Sequence, residues 1–320
     1  MRNLRFPVRM FLIGVFLPVA GAVSGQDFPT KPIRIITSGI GSGTDFTARL
    51  IAQGLAGPLG QPLIVDNRAG VVPSQTVANA LPDGYTLLVQ GVTHWMAPLL
   101  LSAPYDPVKD FTPITIFDSS PSVIVLNASV AANSVKELIA LAKSKPGQLN
   151  FGSNGGPGNI AHLSGELFGA MAGIKMVHVN YKVAASLIAD MISGQVHMRF
   201  GSGSSLMPHV ETGKLKALAV ASAQPSALYP GLPTVTASGL PGYVAVSVTS
   251  AFAPANTPAP VVNRLNREIV RLAKTEEVKT QLFKTGADAV GSSPAELAAL
   301  MKSDMVKFSK VIKDGGIKGD

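Results

Sequence analysis

Between residues 33 and 55 the spacing of the apolar positions changes. Ile33, Ile35 and Ile36 form a short β-branched run that predicts a buried strand. Phe46, Leu50, Ile51 and Leu55 then recur at helical spacing and predict an amphipathic helix. Between the two, Gly39, Gly41 and Gly43 allow a tight turn with uncovered amides, and Thr44 or Asp45 can cap the helix. Amides at a helix N-terminus carry partial positive charge and suit an anion. An ordinary strand–helix connection uses the same residue types, so this stretch alone leaves both readings open.

The pattern recurs along the chain. Strands are expected at 63–65 and 85–90, separated by the turns 66–70 and 82–84, and the second stops at Gly91-Val92-Thr93-His94. Residues 98–113, rich in proline, read as a surface loop, and 111–118 and 122–127 as two strands. Ser134 with Glu137 forms a capping box that opens a helix. A strand at 149–153, a glycine turn at 154–159 and a helix through His162, Leu163 and Leu167 repeat the opening unit. Further strands are expected at 176–179, 196–200 and 216–221, with a helix through Leu187, Ile188 and Met191 between the first two. A long β stretch covers 243–253, and two helices close the chain, the last from a capping box at Ser293 and Glu296. Strands alternating with helices predict an α/β fold with a parallel sheet. Glycine turns fall where strands end, at 39–43, 91–94, 155–158 and 201–205. Open α/β sheets bind ligands at the carboxyl ends of their strands, and four such turns from two halves of the chain can meet in one cleft.

At 320 residues, 46% hydrophobic and 14% charged, the chain suits two domains with sizeable cores. There is no cysteine, which excludes disulfides, thiolate metal sites and cysteine nucleophiles. Residues 1–25 read as a secretory signal: Arg2, Arg5 and Arg9 precede an apolar run at 10–19, and small residues follow, with cleavage after Gly25 or after Ala22. No later stretch is apolar enough to span a bilayer, so the expected mature product is soluble and exported. Removing the three arginines, with no acid in residues 1–25, takes the formal charge from +8 to +5. That excess is scattered, without a basic cluster or aromatic platform for nucleic acid.

Catalytic signatures are missing. No G-x-S-x-G elbow and no phosphate-binding G-x-x-x-x-G-K-[ST] occurs, and Phe46 stands where a G-x-G-x-x-G motif needs glycine. The five histidines form no metal-ligand pair; His178 alternates within a strand and reads as packing or exposed, whereas His162 sits beside a glycine turn and is a candidate ligand contact. Asp45 reads first as a cap or loop organiser, since no second acid lies near it for catalysis. A secreted hydrolase is therefore the weakest reading, and no cofactor or metal is expected.

Across nearly all of the mature chain the sequence resembles the substrate-binding receptors of tripartite tricarboxylate transporters, the Bug receptors. The resemblance is carried by Phe28-Pro29-Thr30-Lys31-Pro32-Ile33, Thr44-Asp45, Asp66-Asn67-Arg68, Pro82-Asp83-Gly84-Tyr85-Thr86, Tyr105-Asp106-Pro107, His162-Leu163-Ser164-Gly165-Glu166-Leu167, Tyr181-Lys182 and Leu232-Pro233-Thr234. It implies a two-domain periplasmic binding protein fold, type II-like, with the ligand cleft between the domains. Domain 1 would comprise residues 26–126 and 246–320, and domain 2 residues 127–245. It implies a monomeric receptor that captures a small organic carboxylate and delivers it to transporter membrane subunits; a ligand sensor signalling to a two-component partner is the alternative. In such receptors backbone amides, waters and small polar side chains hold the carboxylate. The implied contacts here are Ser38, Gly41, Ser42, Gly43, Thr44, Asp45, Thr93, His94, Gly155, Gly156, Gly158, Asn159, His162, Tyr181, Gly201 and Ser202.

The chain also departs from that family. Thr37-Ser38 stands for a proline–phenylalanine pair, Gly41-Ser42 for a double glycine, Gly201 for an acid and Val248-Thr249-Ser250 for a Trp-Phe-Gly segment. Losing an acid and two aromatics predicts a ligand larger or more anionic than a small dicarboxylate, or a degenerate pocket.

Overall fold

The computed structural model describes residues 28–154 and 158–317. The signal segment expected at 1–25 lies outside the described residues, as do Gly155 and Gly156. In chain order the elements are β1 (Ile33–Thr37), α1 (Gly43–Leu59), β2 (Leu63–Asn67), α2 (Val72–Ala78), β3 (Thr86–Gly91), α3 (Thr93–Leu100), β4 (Phe111–Asn127), α4 (Val135–Ser144), β5 (Asn150–Asn154) and α5 (Ile160–Ala172). They continue with β6 (Val177–Tyr181), α6 (Ala184–Ser193), β7 (Met198–Ser202), α7 (Met207–Glu211), β8 (Leu215–Val220), β9 (Val246–Pro254), α8 (Ala259–Ala273), α9 (Glu276–Lys284), β10 (Asp288–Ala289) and α10 (Pro294–Gly315).

The strands follow the order β2-β1-β3-β9-β4-β7-β5-β6, with β10 and β8 also pairing β4. β2, β1 and β3 are parallel, and β9 enters antiparallel beside β3. On the other side of β4, β7 runs antiparallel to it while β5 and β6 run parallel to β7. β4 is the strand common to both halves. Its first part pairs β9 from Phe111 to Pro121, and its second part pairs β7 and β8 from Ser122 to Asn127. This is one 17-residue strand where the sequence suggested two. Ser119-Ser120-Pro121 looked like a break, yet Pro121 continues the β9 register opposite Val246, just where the strand changes partners.

A second departure lies in the expected loop at 98–113. Residues 93–100 form α3 with Pro98 inside it. A helix-interior proline leaves the carbonyl four residues earlier without its amide donor. Here that carbonyl belongs to His94, and the Tyr105 hydroxyl donates to it at 2.9 Å, so the orphaned acceptor is satisfied by a side chain. α9 and the short α7 also went unread, because each is brief and follows another helix or a glycine-serine turn.

Apolar side chains fill both faces of the sheet. Ile33, Ile35, Leu55 and Leu265 pack between α1, α8 and the first half. Leu187, Met191 and Val196 cover the second half beneath α6. A third cluster runs through both halves: α10 packs on α3, on α5 and on β4, burying Leu297, Met301 and Phe308. The Ser293–Glu296 capping box that opens α10 is present, with reciprocal backbone bonds to Ser293 Oγ and Glu296 Oε2. Gly165 on α5 lies against the ring of Phe151, where a Cβ would stand 2.3 Å from Cε2. Gly165→Ala should therefore cost about 1–3 kcal/mol by forcing α5 off the sheet, measured by chemical denaturation; an unchanged midpoint would show that the contact relaxes freely.

Candidate functional site

A cavity of ≈ 680 Å³ opens where the carboxyl ends of β1, β3, β5 and β7 face one another across the middle of β4. Its first wall is the turn after β1. Ser42 is the N-cap of α1, its Oγ accepting from the Asp45 amide at 3.2 Å, so the cap falls two residues before the expected Thr44 or three before Asp45. Gly41 adopts φ +80°, a left-handed conformation that favours glycine, and this turns the chain into the helix. Ser38, Gly41, Ser42, Gly43 and Thr44 all line the cavity, as does Thr93 at the start of α3. Ser38 Oγ donates to Gln90 Oε1 at 2.7 Å, which ties the turn to the end of β3.

Asp45 does not line the cavity. It accepts from the Gly41 amide at 2.9 Å and from Asn67 Nδ2 at 2.8 Å, and pairs with Arg49 at 3.0 Å. Burial pushes its carboxyl up, but these donors outweigh that and hold it below its ordinary value. Asp45 is thus the turn's organiser, the role that the sequence reading favoured over a catalytic one.

The floor comes from the two antiparallel strands. Asp118 lies opposite Thr249 and Ser120 opposite Ser247, and with Ser122 these side chains line the cavity. Asp118 is buried; Thr47 Oγ1 donates to its Oδ2 at 2.6 Å, and Thr249 also bonds it. Burial pushes its carboxyl up to about 6, against the lowering effect of both threonines. The second wall comprises Asn154, Asn159, Ile160 and Ala161 with Arg199, Gly201, Ser202 and Ser204. Asn159 caps α5, its Oδ1 accepting from the His162 amide at 3.0 Å. The end of α9 closes one side with Leu282 and Thr285. Among the described lining residues, Asp118 and Arg199 carry the formal charge.

Besides Asp45, four other expected contacts sit elsewhere. His94 is buried under the first wall, bonded through Nδ1 to Ser74 at 2.9 Å, stacked on Tyr105, and edge-on to Phe111 at 4.4 Å. Burial pulls its pKa to about 3, so the ring is a neutral packing element. The ring of His162 turns away from the cleft, stacking on His178 at 3.8 Å with Nε2 3.6 Å from Glu166. The Tyr181 hydroxyl is spent on Asp190 at 2.6 Å. Gly158, at φ +76°, packs against α3, where a Cβ would come 3.0 Å from the Ala97 amide nitrogen; it brings the two walls together rather than facing the ligand space. The side chains of His94, His162 and Tyr181 each have a partner outside the cavity.

Arg199, Asp118 and the hydroxyl floor went unread. The floor had a signal: polar residues alternate at 118, 120 and 122 and again at 247 and 249, as one face of a strand pair requires. Arg199 falls inside the strand expected at 196–200, where nothing in the sequence set it apart.

Two α/β halves joined through shared strands, with a polar cavity where their strand ends meet, define the periplasmic binding protein fold. The chain belongs to the tripartite tricarboxylate transporter family receptors, whose family model matches residues 47–317. The Bordetella pertussis protein BugT is 31% identical over 317 residues, covering 96% of this chain and 97% of BugT. Rpa4515 of R. palustris, solved with adipate, is 31% identical at a TM-score of 0.77, with 91% of this chain and 99% of that one covered. MatC from Rhodopseudomonas palustris, solved with bound malate, is 28% identical at a TM-score of 0.74, with 89% and 100% covered.

The raised Asp118 carboxyl has a pH signature. Its folded value of about 6 exceeds the ordinary 3.8, so folding takes up a proton more readily and the stability gained is present at low pH and lost as pH rises through about 6. Relative to Asp118→Asn, the native protein should gain about 2 kcal/mol on going from pH 7 to pH 4. Urea unfolding of both at the two pH values checks this; parallel pH dependences would contradict it.

Proposed function

We propose that this protein is a periplasmic receptor that captures a small organic carboxylate in the cleft and delivers it to a tripartite tricarboxylate-type membrane transporter. The observation that carries the reading is the cavity itself, built from strand ends and helix starts of both halves over a floor of hydroxyls. Membership of the receptor family, with relatives solved around adipate and malate, supports a carboxylate as the ligand. The moving units are residues 26–126 with 246–320, and residues 127–245, with β4 and β9 as the connections.

Energetics are compatible with a receptor. Micromolar affinity needs about 8 kcal/mol of net binding free energy. Each hydrogen bond to a charged oxygen contributes about 1.5–3 kcal/mol, and the α1 N-terminus adds about 0.3–1 kcal/mol. Three or four such bonds at the Gly41–Thr44 turn and the floor hydroxyls reach that total, before the cost of ordering is offset. Among the described lining residues there is no nucleophile–base pair: Ser202 bonds Ser204 at 3.0 Å, Ser38 donates to Gln90 and Ser120 donates to the Gly286 carbonyl.

The protein purified from the periplasm and then unfolded should release an organic acid in near-equimolar amount, read by mass spectrometry. Cells carrying the cognate membrane subunits should lose uptake of that acid when the chain is deleted. Recovery of a neutral or cationic compound, or uptake that is indifferent to the deletion, would overturn the proposal.

A further inference from the structure

Asp118 sets an acid into the cavity that the proposed function fills with an anion. The residue is 5% exposed and lines the floor. Thr44 lines the cavity at the start of α1, and Thr47 lies three residues on, on the same face of that helix. Thr47 Oγ1 donates to Asp118 Oδ2 at 2.6 Å, and Thr249 bonds the same carboxyl from β9. The acid therefore sits one helical turn, about 5 Å along the axis, from the Gly41–Thr44 amides. Ligand and acid draw on the same positive pole, the N-terminus of α1.

Among the described residues no cation pairs with Asp118. The charged groups on the elements around it are engaged elsewhere. On α1, Asp45 pairs with Arg49 at 3.0 Å, and on α10, Asp304 pairs with Lys307 at 3.2 Å. α8 meets β4 through Asn266, while its Arg267, Glu268 and Arg271 pair with one another. α9 brings Leu282 and Thr285 to the cavity, and its Lys284 is exposed. Arg199 on β7 donates to Asn154 Oδ1 at 2.9 Å. β10 brings a second carboxyl: Asp288, half-buried, lies opposite Ser119, and burial pushes it up as well. A carboxylate arriving at the turn after β1 thus meets an uncompensated negative charge. A neighbouring like charge makes an acid hold its proton more tightly.

We infer that the cleft takes up a proton with its ligand: Asp118 is ionised in the empty cleft at neutral pH and protonated once a carboxylate occupies the Gly41–Thr44 turn. The proton comes from solvent and rests on a carboxyl oxygen of Asp118, and no bond of the ligand changes. The inference rests on the carboxylate-receptor reading and adds the charge state in which the ligand is held. Linkage is reciprocal, so protons tighten ligand binding by the same factor as the ligand tightens proton binding. With the empty-cleft carboxyl at about 6, the coupling is absent well below that pH and sets in above it.

The test is calorimetric titration of the mature protein with C2 to C6 mono- and dicarboxylates in two buffers of unlike ionisation enthalpy, which counts protons exchanged on binding. At pH 7 the wild type should take up about half a proton or more per ligand. Its affinity should fall about 5- to 25-fold between pH 6 and pH 8, the span for a bound-state value one to two units higher. Asp118→Asn should take up no proton, show a flat profile over that range and bind more tightly than the wild type at pH 8. Thr47→Val loses a donor that favours ionised Asp118, so it should take up less proton at pH 7 than the wild type. Asp288→Asn should keep the wild-type uptake. Carboxylate binding with no uptake in the wild type, or uptake that persists in Asp118→Asn, overturns the role of Asp118 and leaves the receptor reading standing. If none of the acids binds at any pH, the receptor reading fails and the inference falls with it. Should Asp118→Asn not fold, Thr47→Val decides: an uptake equal to that of the wild type overturns the inference.

Discussion

The pairing of β4 with β9 sets where the cavity lies and which side chains floor it. β4 runs without a break from the first half into the second, changing partners at Pro121 and Ser122. Neighbouring positions on one strand face must match in character, because side chains alternate. With Phe117, Ala251 and Phe252 buried in the core, Asp118, Ser120, Ser247 and Thr249 are left to face the cavity. The strand pair is thus apolar where it holds the sheet together and polar where it floors the cleft. On the far side of the sheet α10 packs on both α3 and α5 and so touches both halves.

From that floor the rest of the site follows. Parallel strands on either side end at the cleft, and each hands its chain to a turn and a helix start. The turn after β1 is fixed by Asp45, which gathers the Gly41 amide, Asn67 and Arg49. Asn159 does comparable work at the start of α5. Asp45 organises its turn without lining the cavity, whereas Ser42 and Asn159 cap their helices and line it. Asp45 lies behind Thr44, and His94 beneath Thr93.

This separation explains how much was legible in the sequence. β1, α1, the glycine turns and the α/β class follow from local periodicity, and the structure places Ser38, Gly41 to Thr44, Thr93, Asn159, Gly201 and Ser202 around one cavity. His94, His162 and Tyr181 were misassigned because polarity near a turn does not say which way a ring points; Ser74, His178 and Asp190 claim them through contacts distant in sequence. Pro121 suggested a strand break that its partner β9 overrides. Arg199 was hidden because a lone charge in an apolar strand usually faces solvent, and only tertiary packing shows this one buried at the cleft.

Solution scattering of the mature protein, with and without a saturating dicarboxylate, tests most directly the claim that two halves close over the β4–β9 floor on an acidic ligand. Closure predicts a smaller radius of gyration in the bound state. Superimposable curves for the free and fully bound protein would contradict the account.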